Sequence, residues 1–209
     1  MSRPLILALH GVGSCSSDMA AALAPLTSIA QVIALDGCEP FDGGGRRRQW
    51  FSVNGVTEAD RPRRVEEALP GLIKRIEDVA RDHHVPRGEL VLLGFSQGAI
   101  MTLAMVAHGH HAGRAIAISG RLASSVVQAG AKPASLLVIG DSADQVMPSC
   151  LSAQAAEKLT GAGHRASTIL TDGIGHGIGP QTISEISAWL ASEPCLETST
   201  LDLEGPHDD

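Results

Sequence analysis

In the run "ELVLLGFSQGAIMTLAM", residues 89–105, Ser96 stands between two glycines at the point where a strand-like apolar stretch gives way to a helical one. Passing from strand to helix around one exposed residue demands a sharp, strained turn. Its neighbours two positions either side must then be nearly free of side chain, and Gly94 and Gly98 meet that need. The pattern G-x-S-x-G lifts a hydroxyl above the C-terminal edge of a sheet, where the amides and positive end of the next helix face any negative charge that develops. The bland alternative is a serine that merely N-caps the helix. A strand before the motif and a helix after it favour the nucleophile.

A neutral serine attacks poorly without a base, and the base needs a group to orient it. Of nine histidines, His176 in "TDGIGHGIG" follows the last strand-like run directly, in a glycine-rich loop that lets an imidazole swing over the sheet edge. His83 and His84 end a helical pattern, while His108, His110 and His111 crowd the end of another. His164 follows a glycine-containing turn, His207 lies near the C-terminus, and His10 reads as a loop-fixing residue. The acid is expected between nucleophile and base in chain order, on the loop "DSADQVMP" after the run "SLLVIG". That loop offers Asp144, the preferred residue, and Asp141, which stays open; Asp172 is too close to His176 in sequence. In this arrangement His176 removes the Ser96 proton, and Asp144 holds the imidazole tautomer and stabilises the imidazolium. An oxyanion hole completes the chemistry. "LALHGVGS" turns over the site after the first strand, so the backbone N–H of Val12 can join that of Gln97, the residue after the nucleophile.

These side chains require elements to hold them. "PLILAL" (4–9), "AQVIAL" (30–35), "ELVLLGF" (89–95), "RAIAIS" (114–119), "SLLVIG" (135–140) and "ASTIL" (166–170) are short and apolar on both faces, as strands of a covered parallel sheet are. Between them, Val65, Ala68, Leu69, Leu72, Ile73, Ile76, Val79 and Ala80 recur at helical spacing, with Pro70-Gly71 expected to interrupt or kink the helix. Further helices are predicted over 97–108, 149–161 and 180–191. Alternating strands and helices predict an α/β fold with a doubly wound, mainly parallel sheet.

Composition narrows the possibilities. A chain of 209 residues, 44% hydrophobic, suits one well-buried domain, placed at 1–191. The net charge of -7 resides mostly in the final stretch "SEPCLETSTLDLEGPHDD" (192–209), which holds six acids and no Lys or Arg and is expected to be mobile. A nearly neutral remainder carries no footprint for nucleic acid. Apolar runs too short for a spanning helix argue against stable membrane insertion. With no leader-like N-terminus and four cysteines (Cys15, Cys38, Cys150, Cys195) lacking CxxC spacing, they predict a cytoplasmic protein with reduced thiols. Residues 36–62 form an unusually long Gly- and Arg-rich connection holding Phe41, Trp50 and Phe51. Such segments are often functional, and Trp50 and Phe51 are expected to wall the acyl side of a substrate cleft. Arg46, Arg47 and Arg48 read as a solvated run.

Taken in order, "LHGVGS", "RQWFSV", "GFSQG", "DSADQVMP" and "GIGHGI" resemble the phospholipase/carboxylesterase family of α/β-hydrolases, over nearly all of the chain to about residue 191. The resemblance implies an α/β-hydrolase fold with a shortened N-terminal edge, since the first motif strand starts almost at residue 1. It implies hydrolysis of carboxylic esters or thioesters without metal or cofactor through Ser96, Asp144 and His176, with Val12 and Gln97 as oxyanion donors. Members usually carry His-Gly where this chain has Gly140-Asp141, which keeps Asp141 in contention. The expected partner is a small-molecule ester, with a homodimer left open. A short-chain carboxylesterase is preferred over a lysophospholipase or protein thioesterase. A non-catalytic binding protein of the same fold is the reading from another class, and a nucleotide-binding protein lacks its phosphate-loop motif.

Overall fold

The computed structural model describes residues 3–192. The chain runs β1 (Leu5–Leu9), α1 (Ser16–Ala22), β2 (Gln31–Leu35), β3 (Glu39–Pro40), β4 (Arg48–Gln49) and α2 (Arg61–Asp82). It continues β5 (Val91–Phe95), α3 (Gln97–Ala107), β6 (Arg114–Ile118), β7 (Ser135–Asp141), α4 (Ser149–Gly161), β8 (Arg165–Thr171) and α5 (Pro180–Ser192). Ser192 therefore closes a helix, and the rest of the acidic stretch, 193–209, lies outside the described residues.

Six strands form one sheet in the order β2-β1-β5-β6-β7-β8, every neighbouring pair parallel. Alternation along the strands sends side chains to two different layers. Leu5, Leu7, Leu9 and Leu92 pack with Val65, Leu69, Leu72 and Ile76 of α2 and Ile100, Met101 and Met105 of α3. Ile6, Ala8, Val91, Leu93, Ile116, Ile118, Leu137 and Ile139 face Met19 of α1 and Ile186, Trp189 and Leu190 of α5. Helices on both faces explain why β1, β6 and β7 are buried along their whole length, as continuous apolar runs require. The two edge strands depart from that expectation. Most of β2 and β8 is partly or fully exposed, because a strand with one neighbour is covered less completely.

The chain leaves β1 for β2 on one side and later enters β5 on the other, so the carboxyl ends of β1 and β5 flank the point where the winding reverses. Crevices for ligands form at such points in open α/β sheets. α3, which starts there, is buried over all eleven residues, as an almost wholly apolar helix must be.

Three local features differ from the sequence-based expectations. Pro70 does not break α2, which is continuous from Arg61 to Asp82; Pro70 and Glu66 are both exposed, so the carbonyl deprived of its donor lies next to solvent. α1 was not predicted. It is seven residues long with one buried side chain, Met19, and its N-terminal amide at Ser16 donates to Asp36 Oδ1 (2.7 Å), far along the chain. The long connection contains the small antiparallel pair β3–β4.

His111, 2% exposed, makes stability depend on pH. One ring nitrogen, Nε2, donates to the Arg114 carbonyl (3.0 Å), while Nδ1 has no partner among the described residues. Burial pushes its pKa down from 6.5 to about 4. The unfolded chain therefore binds a proton that the folded chain refuses, and stability falls as pH drops from about 6.5 towards 4, by on the order of 3 kcal/mol. His111→Gln keeps a donor for the carbonyl but cannot titrate. Urea unfolding across this window is expected to show a shallower pH dependence for the variant, and an unchanged slope would contradict the assignment.

Candidate active site

Ser96 adopts φ 54° and ψ -114°, a conformation that side-chain-bearing residues rarely take. The turn is possible because its neighbours are glycines. A Cβ at Gly94 would stand 2.2 Å from the Gly98 carbonyl oxygen, and one at Gly98 would stand 2.1 Å from that of Leu9. Both distances are far inside contact, so strand, elbow and helix could not close with any other residue at either position.

His176 reaches this elbow from the loop after β8. Its Nε2 lies 2.9 Å from Ser96 Oγ and its Nδ1 lies 2.8 Å from Asp144 Oδ2. Phe95 packs against the imidazole with ring centroids 5.0 Å apart. The Asp144 side chain is wholly buried. Its Oδ1 accepts from the backbone N–H groups of Val146 (2.9 Å) and Met147 (2.8 Å). Burial opposes its charge, but the bonds from Met147, His176 and Ser119 outweigh that and hold the carboxyl below its usual range.

Asp141 is equally buried and does different work. It accepts from Ala143 N–H and Gly175 N–H at 2.9 Å, from Thr171 Oγ1 at 2.8 Å and from Ile174 N–H at 3.2 Å. It thus ties the loop bearing Asp144 to the loop bearing His176. Here too burial raises the carboxyl pKa and the four donors lower it further. With folded values below the unfolded ones, both aspartates contribute stability above the ordinary carboxylate range, and lose it as pH falls through their folded values. Asp172 is bonded instead to the Ser142 hydroxyl.

The loop after β1 brings Val12 to the site. His10, 1% exposed, accepts at Nε2 from Gly37 N–H (2.9 Å), so the proton sits on Nδ1 and is donated to the Gly11 carbonyl (2.6 Å). Burial lowers its pKa and keeps it in this neutral form. The peptide joining Gly11 and Val12 is planar, so anchoring the Gly11 carbonyl also sets the direction of the Val12 N–H. The Gln97 N–H lies in the first turn of α3 and has no acceptor within the helix.

Trp50 and Phe51 lie elsewhere than expected. Both are core residues, 1% and 4% exposed, packed among α2 and α3 side chains. The Trp50 indole N–H donates to the His10 carbonyl (2.8 Å), beneath the loop after β1. The acyl-wall assignment is therefore corrected: the aromatic pair supports the site from behind. Nor are two of the three arginines simply solvated, while Arg46 is exposed as expected. Arg47 donates to the Gly13 carbonyl (2.7 Å), Arg48 Nε and Nη2 donate to the carbonyls of Gly37 and Cys38 (3.0 and 2.9 Å), and Gly13 N–H donates to the Arg48 carbonyl (2.9 Å).

The open space beside Ser96 is a cleft of about 340 Å³. Val12, Met19, Ala22, Phe95, Val146 and Ile178 give it an apolar lining, with Asp18 and Ser14 also in the wall. Met19, Ala22 and Asp18 come from α1, so the helix missed in the sequence forms one wall. Among the described residues, no group of three or more His, Cys, Asp or Glu could hold a metal ion.

The model of the phospholipase/carboxylesterase family matches residues 1–193. The chain belongs to that family. This membership makes it a hydrolase of carboxylesterase type, built on the α/β-hydrolase fold. The Escherichia coli (strain K12) esterase YpfH is 33% identical over 181 residues, covering 85% of this chain and 77% of the relative. Among solved structures, esterase PE8 superposes with a TM-score of 0.78 at 24% identity, covering 91% of this chain and 92% of that one. The Bacillus cereus carboxylesterase gives 0.76 at 18% identity, covering 90% and 88%. These two structural likenesses speak for the fold.

Proposed function

We propose that this member of the carboxylesterase family is a cytoplasmic serine esterase that hydrolyses short-to-medium acyl esters of small molecules through an acyl-enzyme on Ser96. The observation that carries the reading is the unbroken line from Ser96 Oγ through His176 to Asp144, with links of 2.9 and 2.8 Å. In the first half-reaction Nε2 takes the hydroxyl proton as Oγ attacks the ester carbonyl. The oxyanion accepts from the N–H groups of Val12 and Gln97, and the proton passes to the departing alcohol. In the second half, water attacks the acyl-serine, gives its proton to His176, and releases acid as Ser96 regains its hydrogen. Asp144 stays ionised throughout and stabilises the imidazolium of each half.

Acyl length is argued from the cleft, whose volume is at the small end of the range for ligand pockets and whose lining is mainly apolar. A panel of p-nitrophenyl esters from acetyl to palmitoyl tests this. The kcat/KM is expected to peak between about two and eight acyl carbons and fall by at least about tenfold at sixteen, where the chain outgrows a cleft of this volume. A maximum at the long end would overturn the short-acyl assignment in favour of a lysophospholipase. Failure of the folded protein to hydrolyse any ester would favour a non-catalytic binding protein.

A further inference from the structure

The residue that follows the nucleophile has a side chain unrelated to its backbone role. Gln97 is 3% exposed and both polar atoms of its amide are bonded to the long connection: Oε1 accepts from Trp50 N–H (2.8 Å), and Nε2 donates to the Phe51 carbonyl (2.7 Å). Trp50 in turn donates its indole N–H to the His10 carbonyl (2.8 Å), and the His10 ring bonds to the Gly11 carbonyl, in the peptide that carries the Val12 N–H.

We propose that the Gln97 side chain is a positioning residue that, through Trp50 and His10, sets the spacing and aim of the two oxyanion donors relative to each other. The inference rests on the reading of Ser96 as nucleophile. Its physical basis is that the two donors belong to separate loops, one after β1 and one after β5, and an oxyanion hole works only if both amides point at one oxygen about 3 Å away. A backbone anchored at one loop alone would drift relative to the other. The Gln97 amide closes the circuit, because the residue that supplies one donor grips the segment that holds the loop supplying the other. Burial strengthens this coupling: each bond lies out of water, and an unmatched partner there would be costly, so the segment has one satisfied arrangement.

Gln97→Met keeps the length and removes both side-chain bonds, while leaving the backbone N–H of residue 97 in place. Trp50→Phe removes the indole N–H at the other end of this relay together with part of a buried ring, so its urea stability is measured beside its kinetics. For each variant, kcat is expressed per active site, counted from the endpoint of fluorophosphonate labelling, so that misfolded molecules are not included. Both are expected to lose about 10- to 100-fold in kcat with KM within about twofold, since only the transition state uses the aimed donors. The inhibition constant of a boronic acid, whose adduct puts an oxygen in the hole, should rise by the same factor. The double variant should lose little more than the worse single one, because both act through a single segment.

A kcat per labelled site within twofold of wild type in Gln97→Met would overturn the proposal, leaving the amide a packing residue. So would fully multiplicative losses in the double variant. If Gln97→Met yields no folded protein, Trp50→Phe alone decides, with loss of kcat and of boronate affinity on one side and no loss on the other. A wild-type protein that takes up no fluorophosphonate would overturn the nucleophile reading, and the present inference with it.

Discussion

Ser96→Ala is expected to abolish fluorophosphonate labelling and to lower hydrolysis of a short activated ester by about 10⁶-fold, the scale seen when a triad nucleophile is removed. The effect is this large because, among the described residues, no other hydroxyl in the cleft lies against an imidazole. Ser14, the other serine in the lining, donates to Asp18 Oδ2 at 3.1 Å instead of to an imidazole. The variant should remain folded. Ser96 is only 7% exposed, but the change deletes one oxygen, and the turn itself is permitted by Gly94 and Gly98, which are untouched. Labelling at a single residue in wild type, read by mass spectrometry, and its disappearance in Ser96→Ala would together identify the nucleophile. Labelling that persists at another serine would refute the assignment.

Exchange of the two aspartates for asparagine should give two kinds of loss. Asp144→Asn presents an amide to His176 Nδ1, removes the countercharge for the imidazolium and favours the wrong tautomer, so kcat should drop about 10⁴-fold. Asp141→Asn should leave the chemistry nearly intact while weakening the fold. Its carboxylate accepts from four donors with 2% exposure, and an amide NH2 group at either oxygen position meets at least one backbone N–H, donor against donor. A stability loss on the order of 2 kcal/mol is expected, or a melting temperature lower by about 4–8 °C. A variant of Asp141 that is merely mild in every respect would contradict the network. A catalytic collapse in Asp141→Asn with wild-type stability would transfer the role of orienting acid to Asp141.

Much of this layout was legible before any coordinates. The strand-like runs correspond to all six strands of the main sheet within a residue or two, and for the four central ones this is because a strand covered on both faces must be apolar throughout. Helix 149–161 was anticipated to the residue. What escaped was supported from far away in the chain. α1 has too few apolar residues for a periodic signal, and its N-terminus is bonded by Asp36 instead of a neighbour. The partial exposure of β2 and β8 follows from strand order, which their own compositions do not encode.

The same division runs through the site. Ser96 could be singled out from residues 94–98 together with the strand-like run before them and the helical run after, because the demand for two side-chain-free neighbours is a steric property of a strand-to-helix turn. His176 was legible as a position, the glycine-rich loop after the last strand. The sequence preferred Asp144 but left Asp141 open, since the two carboxylates share one loop three residues apart. Their directions are set by donors on that loop and on the loop after β8: Asp144 turns to His176, while Asp141 turns to Thr171, Ile174 and Gly175. Trp50 makes the point most sharply. Scarce aromatics in a long loop mark a place where something is held, yet an indole can face a cleft or a core with the same composition around it. Only the folded chain, in which its N–H meets the His10 carbonyl and its backbone meets the Gln97 amide, determines that it lies behind the site, because that outcome depends on hydrogen bonds between residues some forty positions apart.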